Sequence, residues 1–238
     1  MESTGYTTLT RQSGLMQEMQ VVANNIANSA TTGFRQEGLM FAEYVKRVEG
    51  GPSLSMATAN VRNTSTLQGA LTQTGGSLDF AIEGDGFFLI GTPAGERLTR
   101  AGSFALSAEG DLVTPDGFRV LDSGGAPVFV PPDANGVSVA ADGTVSADGK
   151  PLSRLGLVQP TDITGLMRED GVMFRAEGGY EPAESGRILQ GFLEEANVDP
   201  VSQIARMIEI QRAYEMGQSF LDAENERVRS ALQTFVRS

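Results

Sequence analysis

The chain has 238 residues, of which 40% are hydrophobic, enough for one large domain or two small ones with a genuine core. Its formal charge of −12 argues against nucleic acid as a partner, because phosphate binding needs clustered lysine and arginine side chains. The chain has no cysteine and no histidine, which excludes disulfides, thiol catalysis, His-dependent triads and zinc sites that need these ligands.

Targeting signals are absent from the sequence pattern. No segment reaches the roughly 18 continuous apolar residues that a membrane helix needs. The opening Met1-Glu2-Ser3-Thr4 lacks a basic start, and no apolar core of a secretory signal follows it. The pattern predicts no membrane insertion, and either a cytosolic protein or one that is exported without a cleaved signal.

An amphipathic helix is predicted from about Thr4 to Asn28, with Gly33 as a stop signal behind it. Four apolar residues spaced four, three and four apart form its stripe: Leu15, Met19, Val22 and Ile26. This spacing fits a helix packed on its own domain and a coiled-coil seam equally well.

Asparagines cluster at the end of this helix, at Asn24, Asn25 and Asn28. Asparagine is a poor residue for a helix interior because its side chain competes for backbone groups. One interpretation is a frayed last turn. The other is that these side chains make hydrogen bonds that fix the register of packed neighbours.

The middle of the chain is predicted to be β structure. Residues 36–76 are expected to form an extended arm or a linker, because they contain Gly50-Gly51-Pro52-Ser53 within a polar stretch that reaches Gly69. Beyond them, Phe87-Phe88-Leu89-Ile90 is typical of a buried strand, and five Asp-Gly pairs indicate tight turns at residues 85–86, 116–117, 142–143, 148–149 and 170–171. Residues 77–190 are therefore expected to form a mostly antiparallel sandwich or barrel-like body.

A second, longer helix is predicted near the end of the chain. Asp199 can cap it, and Pro200 fits its first position, where a missing N–H is no loss. Five apolar residues then recur every seven positions: Met207, Tyr214, Leu221, Val228 and Phe235. A sustained seven-residue period favours a left-handed helix pair, and the incomplete seam predicts further partners from other molecules.

The predicted fold class is α+β, with the N- and C-terminal helices paired as a coiled-coil-like inner domain and the β body inserted between them. The expected divisions are an N-terminal helical half at residues 1–35, the arm at 36–76, the body at 77–190 and a C-terminal helical half at 191–238.

The sequence shows no group of residues typical of a catalytic, nucleotide-binding or metal-binding site. The segment Glu83-Gly84-Asp85-Gly86 lacks the lysine and serine or threonine of a phosphate loop, and a hairpin turn explains it. Asp79, Glu83 and Asp85 leave a hydrolase open as a rival interpretation, to be tested by turnover assays. The sequence predicts no catalytic, cofactor-binding or metal-binding residues, no cofactor, and a protein that is not an enzyme.

The chain resembles the flagellar basal-body rod and hook family. The matching motifs include VANNIAN at residues 22–28 and TGFR at 32–35, which contain Asn24, Asn25, Asn28, Gly33 and Phe34. Further blocks match at residues 78–88, 98–104, 110–114, 191–201 and 207–215.

The resemblance implies a structural subunit of the proximal rod, stacked helically into the drive shaft that transmits torque for motility. It also implies type III export without a cleaved signal, assembly in the periplasm, and contacts with copies of itself, other rod proteins and the export apparatus. The alternatives are a distal rod protein of the same family or a secreted β-domain adhesin.

Overall fold

A computed structural model describes residues 2–46, 54–134, 136–183 and 185–236. The chain divides into two compact units. We call residues Met1–Ala27, Glu37–Ser65 and Asp199–Ser238 the helical unit, and residues Asn28–Gln36 and Thr66–Val198 the body. The two ends of the chain therefore meet in one unit, although they are distant in sequence.

The helical unit contains α1 (Glu2–Ala27), β1 (Glu37–Lys46), β2 (Leu54–Thr64) and α2 (Pro200–Val236). Strands β1 and β2 form an antiparallel hairpin with a register shift between Met40 and Phe41. The hairpin gives regular structure to a segment that the sequence suggested only as an arm or linker. None of the described helices is both long enough and apolar enough to cross a membrane.

Helix α2 begins where the sequence predicts. Pro200 is its first residue, and the carboxylate of Asp199 accepts hydrogen bonds from the backbone N–H groups of Val201 at 3.2 Å and Ser202 at 3.3 Å. These bonds satisfy donors that the first helical turn leaves without partners. The predicted cap is confirmed.

The body is built from short strands, and every pairing among its described strands is antiparallel. Its sixteen strands are β3 (Leu71–Gln73), β4 (Phe80–Glu83), β5 (Phe87–Thr92), β6 (Gly95–Thr99), β7 (Ala105–Leu106), β8 (Leu112–Val113), β9 (Arg119–Val120), β10 (Val137–Val139), β11 (Thr144–Ala147), β12 (Lys150–Arg154), β13 (Leu157–Pro160), β14 (Leu166–Glu169), β15 (Met173–Ala176), β16 (Tyr180–Pro182), β17 (Arg187–Gln190) and β18 (Phe192–Glu194).

The largest sheet of the body has nine strands. Seven follow the order β14-β15-β6-β5-β9-β8-β7, and β13 pairs with both β5 and β16. Smaller sheets have the orders β10-β11-β12, β17-β4 and β18-β3. The fold is α+β with helices from both ends of the chain and a β-rich body, as predicted.

Strand β5 explains how the body is packed. Phe88 and Ile90 belong to one hydrophobic cluster, whereas Phe87 and Leu89 belong to a second. Because successive side chains of a strand point to opposite faces, β5 is buried on both sides. The continuous apolar run in the sequence therefore reports a central strand, as predicted.

Two of the predicted Asp-Gly turns have the expected backbone. Asp148 and Gly149 have φ values of 52° and 77° between β11 and β12, and Asp170 and Gly171 have 45° and 66° after β14. Positive φ at both positions is what a type I′ hairpin turn requires. At the other three Asp-Gly pairs only the glycine has positive φ.

Candidate assembly interface

Helices α1 and α2 contact each other in antiparallel order. The side-chain amide of Gln12 donates to the backbone carbonyl of Tyr214 at 3.1 Å, and further along α1 the amide of Asn25 donates to Oε1 of Gln203 at 3.1 Å. Positions later in α1 therefore contact positions earlier in α2. The two chain ends are joined by specific polar contacts as well as by packing.

Asn25 is the centre of a buried polar cluster in the helical unit. Only 1% of its surface is exposed. Besides its bond to Gln203, its Nδ2 donates to the carbonyl of Glu37 at 2.8 Å, and its Oδ1 accepts from the N–H of Glu37 at 3.0 Å. The side chain therefore ties together α1, α2 and the start of β1. A buried amide with such defined partners disfavours any shift in register.

The remaining motif asparagines lie at the end of α1. Asn24 is half-buried within the helix. Asn28 belongs to the body, where its backbone carbonyl accepts from the N–H of Thr31 at 3.0 Å and its Oδ1 accepts from the hydroxyl of Thr31 at 3.2 Å. Asn28 thus stabilises the turn that follows the helix.

The residues predicted to pair the helices have different degrees of burial. Val22 is buried, and six are half-buried: Leu15, Met19, Ile26, Met207, Tyr214 and Leu221. Val228 is 42% exposed, and the side chain of Phe235 lies outside the described part of the chain. Their role in assembly stays a prediction.

The most buried side chains of α2 are Gln203 and Ile210, seven residues apart. Gly217, another seven residues on, lies against Gln12, since a Cβ at Gly217 would come within 2.6 Å of the Gln12 Nε2 atom. Positions 203, 210 and 217 therefore follow a seven-residue spacing of their own, whereas the coiled-coil pairing predicted from Met207 onwards stays a prediction. The sequence did not predict the buried position of Gln203, because the prediction used the spacing of apolar residues and glutamine is polar.

Helix α2 also presents apolar side chains that the described part of the chain leaves exposed. Val201, Ile204 and Ile208 are 74%, 49% and 45% exposed, and we call these three residues the ridge. Met216 and Phe220 are also exposed. They help to line a groove of about 380 Å³, together with Thr8, Arg11, Gln12, Leu15, Ala213 and Gly217. Clusters of uncovered apolar side chains mark interaction surfaces.

In the body, a buried ion cluster binds segments from both ends of the chain. The carboxylate of Glu194 pairs with Nη2 of Arg35 at 2.9 Å and with Nη1 of Arg100 at 3.0 Å. All three side chains are almost fully buried. Arg100 also donates to the carbonyls of Ile82 at 3.2 Å and Gly84 at 2.7 Å.

The protonation of this cluster follows from its burial. Desolvation lowers the pKa of Arg100 to about 10, against the attraction of the Glu194 carboxylate, so the guanidinium remains charged at neutral pH. Desolvation also lowers the pKa of Arg35, again opposed by Glu194. Glu194 is thus the buried carboxylate that contacts both cations, and Asp85 adds a weaker attraction to each of them.

Gly33 and Phe34 place Arg35 in this cluster. Gly33 has φ of 70°, and its N–H donates to the carbonyl of Glu194 at 2.7 Å. A Cβ at Gly33 would lie 2.2 Å from the backbone nitrogen of Ala101, so no other residue fits. Phe34 is buried under the guanidinium of Arg168, whose central carbon is 4.3 Å from the ring centre.

The acidic residues considered for hydrolysis do not form a catalytic pair. Asp79 accepts a hydrogen bond from the hydroxyl of Thr74 at 2.6 Å, and Glu83 forms an exposed ion pair with Arg187 at 2.7 Å. Asp85 is exposed. In the described part of the chain, no group of three or more acidic side chains could hold a metal ion.

Comparison with known proteins identifies three matching regions. Residues 6–35 match a family model described as flagella basal body rod protein. Residues 81–147 match the flagellar hook protein FlgE/F/G D1 domain, and residues 189–234 match the C-terminal region of flagellar basal body rod FlgEFG proteins.

Full-length relatives carry the same description. The chain is 40% identical to the flagellar basal-body rod protein FlgF of Caulobacter vibrioides, over 98% of both chains. It is 37% identical to FlgF of Rhizobium meliloti over 90% of both, and 31% identical to FlgG of Bacillus subtilis over 93% of this chain and 94% of that one. The chain therefore belongs to the FlgF family of flagellar basal-body rod proteins, as a structural, non-enzymatic subunit of the basal body.

Proposed function

We propose that the chain is a subunit of the proximal rod, which assembles helically with copies of itself and with other rod proteins into the drive shaft that transmits torque. The observation that carries this proposal is the helical unit, which joins both chain ends yet leaves apolar surface on α2 uncovered. Covering such surface with a neighbouring molecule removes apolar area from water and therefore favours assembly. In the family that the chain resembles, FlgF is the proximal-rod member and FlgG the distal-rod member. The two FlgF relatives named above are 37% and 40% identical to this chain, against 31% for FlgG of Bacillus subtilis, which favours the proximal over the distal rod.

Torque transmission needs a stiff element, and α2 is well suited to it. At about 1.5 Å per residue, its 37 residues span roughly 55 Å. Its antiparallel contact with α1, through Gln12 and Asn25, supports coiled-coil-like pairing between the two ends. We further propose that Leu15, Met19, Val22, Ile26, Met207, Tyr214, Leu221, Val228 and Phe235 contribute to this pairing and to assembly.

We propose the following domain boundaries along the chain. In this proposal residues 1–35 and 191–238 form the two halves of an inner domain, residues 36–76 form an arm, and residues 77–190 form an outer β domain. We also propose that the chain leaves the cell through the flagellar type III export apparatus without loss of a cleaved signal, and assembles in the periplasm.

The test is complementation of a strain that lacks the gene. Leu221→Asp puts a charge on a half-buried position of α2, which costs desolvation energy in a packed interface. We expect loss of swimming in soft agar and loss of the chain from purified basal bodies. Ser219→Asp is the matched control, since it adds the same charge at an exposed position of the same helix.

Three outcomes would count against the proposal. If Leu221→Asp supports normal swimming, the helix pairing is wrongly assigned. If labelled wild-type chain lies at the outer end of purified rods, the distal rod is the correct location. Absence of the wild-type chain from basal bodies would overturn the rod function itself.

A further inference from the structure

The ridge has the pattern of a helix that docks into a groove. Val201, Ile204 and Ile208 are spaced three and four residues apart, which places them on one side of α2. Continuing with the same steps, Gln211 and Glu215 prolong this side, and both are exposed. A helix recognised by a groove uses such anchors at i, i+3 and i+7. The apolar ridge is thus followed, on the same side of α2, by the carboxylate of Glu215.

The groove has the complementary character. It lies between α1 and α2, and Gly217 keeps it open because no side chain projects at that position. Met216 and Phe220 supply apolar walls, and methionine adapts its shape to a partner readily. Arg11, also in the lining, is exposed and has no carboxylate partner among the described residues.

We propose that the ridge of one copy of the chain seats in the groove of a second copy, with Glu215 of the first copy facing Arg11 of the second. The inference rests on the proposed function and specifies its contact. Because ridge and groove are different surfaces, the contact is head-to-tail and leaves a free ridge and a free groove at the ends. Repetition of one such contact generates an open helical array when the rotation between successive copies does not close into a ring.

The charge distribution favours a helical unit over a body as the occupant. The helical unit carries 11 acidic and 9 basic side chains, a net charge of −2. The body carries 19 acidic and 9 basic side chains, a net charge of −10. Two helical units therefore approach each other with little repulsion, whereas a body brings many carboxylates. Glu215, which follows the ridge on the same side of α2, also supplies a carboxylate, which Arg11 lacks among the described residues.

Cysteine cross-linking in intact basal bodies tests the proposal, because the chain has no cysteine of its own. The double variant Ile204→Cys/Met216→Cys places one thiol on the ridge and one in the groove. The two positions are 12 residues apart on one helix, roughly 18 Å, which is too far for a disulfide within one chain. We expect disulfide-linked dimers and higher oligomers after mild oxidation.

The matched control is Ile204→Cys/Gln17→Cys, since Gln17 is exposed and the helical period puts it on the side of α1 away from the groove. The ridge–groove variant should give at least about tenfold more linked dimer, because docking raises the local thiol concentration. A second pair, Ile208→Cys/Phe220→Cys, serves if the first variant fails to enter basal bodies.

Charge reversal sharpens the result. In the cross-linking background, Arg11→Glu should reduce dimer formation about fivefold by placing two acids together, and adding Glu215→Arg should restore it.

A product with the mass of this chain plus a different rod protein, without the dimer, would overturn the second copy as occupant. The docking itself would be overturned if each of the two ridge–groove double variants entered rods and yet gave no more disulfide-linked dimer than the control. Absence of the wild-type chain from basal bodies would instead refute the proposed function.

Discussion

The body and the helical unit differ in how much of their apolar surface is covered. Among the residues whose side chains are described, 24 buried hydrophobic residues lie in the body and only three in the helical unit: Val21, Val22 and Ile210. Conversely, eight of the 14 exposed large hydrophobic residues lie in the helical unit. Among the described side chains, those of the body close their own core, whereas most apolar side chains of the helical unit remain partly or largely exposed.

The charges of the two units differ in the same sense. The body has a net charge of −10 and the helical unit one of −2. A strongly acidic surface keeps bodies soluble and apart, while nearly balanced charges allow helical units to pack densely. The comparison therefore predicts that substitutions in the body change the stability of a single chain. Substitutions in the helical unit should mainly change assembly.

The largest effect is expected for Glu194→Ala in the body. The change removes the carboxylate shared by Arg35 and Arg100 and leaves two buried guanidinium groups without it. Loss of one partner from a buried ion pair costs about 3–5 kcal/mol. Urea denaturation of the purified chain, followed by near-ultraviolet circular dichroism of the body, measures the free energy of unfolding.

Glu195→Ala is the control for this prediction. Glu195 is the next residue, is exposed, and accepts a hydrogen bond from the hydroxyl of Thr72 at 2.7 Å. It should cost under about 1 kcal/mol, because water replaces an exposed bond. Equal losses for the two variants would mean that the buried cluster contributes no special stability to the body.

The second largest effect is expected for Asn25→Ala in the helical unit. The change removes three hydrogen bonds and leaves the N–H and carbonyl of Glu37 without their amide partner. We expect a loss of about 2 kcal/mol of local stability, because buried groups are left unsatisfied. Hydrogen exchange of the α1 amides measures it. Exchange in the body should not change, and Gln20→Ala, at an exposed position of α1, should leave both units unaffected.

The sequence predicted the elements whose signals are local. The cap at Asp199, the start of α2 at Pro200, the buried strand at Phe87-Phe88-Leu89-Ile90 and the Asp148-Gly149 turn are all confirmed. Each depends on a few consecutive residues or on a regular period, so a single pattern suffices to identify it.

Long-range polar contacts could not be predicted in the same way. Arg35 and Glu194 are 159 positions apart, and Asn25 and Gln203 are 178 apart. A polar residue in a motif shows no preference for any partner until the fold brings one near. The unexplained asparagine in a helix was the available signal, and it pointed to buried hydrogen bonding without naming Gln203 or Glu37 as partners.

A smaller change in stability is expected for Gly217→Ala. Alanine favours the helix interior by about 1 kcal/mol. Its Cβ would lie 2.6 Å from Nε2 of Gln12, so this flexible side chain must move and its bond to Tyr214 weakens. We expect the melting temperature to shift by only a few degrees, since the two effects offset each other. Assembly should nevertheless fall, because the methyl group narrows the groove. If the Gly217→Ala variant enters basal bodies in normal amounts and its melting temperature is unchanged, Gly217 does not belong to the interface.

The smallest effect is expected for Arg206→Ala. Arg206 bridges α2 to Glu18 of α1, with Nη2 2.5 Å from the Glu18 carboxylate, and it also contacts Glu209 at 3.1 Å. These bonds raise the pKa of Arg206, but the arginine is half exposed, so water and salt screen the attraction. The change should cost about 0.5 kcal/mol at low salt and less at high salt. Thermal melts at two salt concentrations measure it. A loss as large as that of Asn25→Ala, insensitive to salt, would show that surface charge rather than the buried amide holds the two chain ends together.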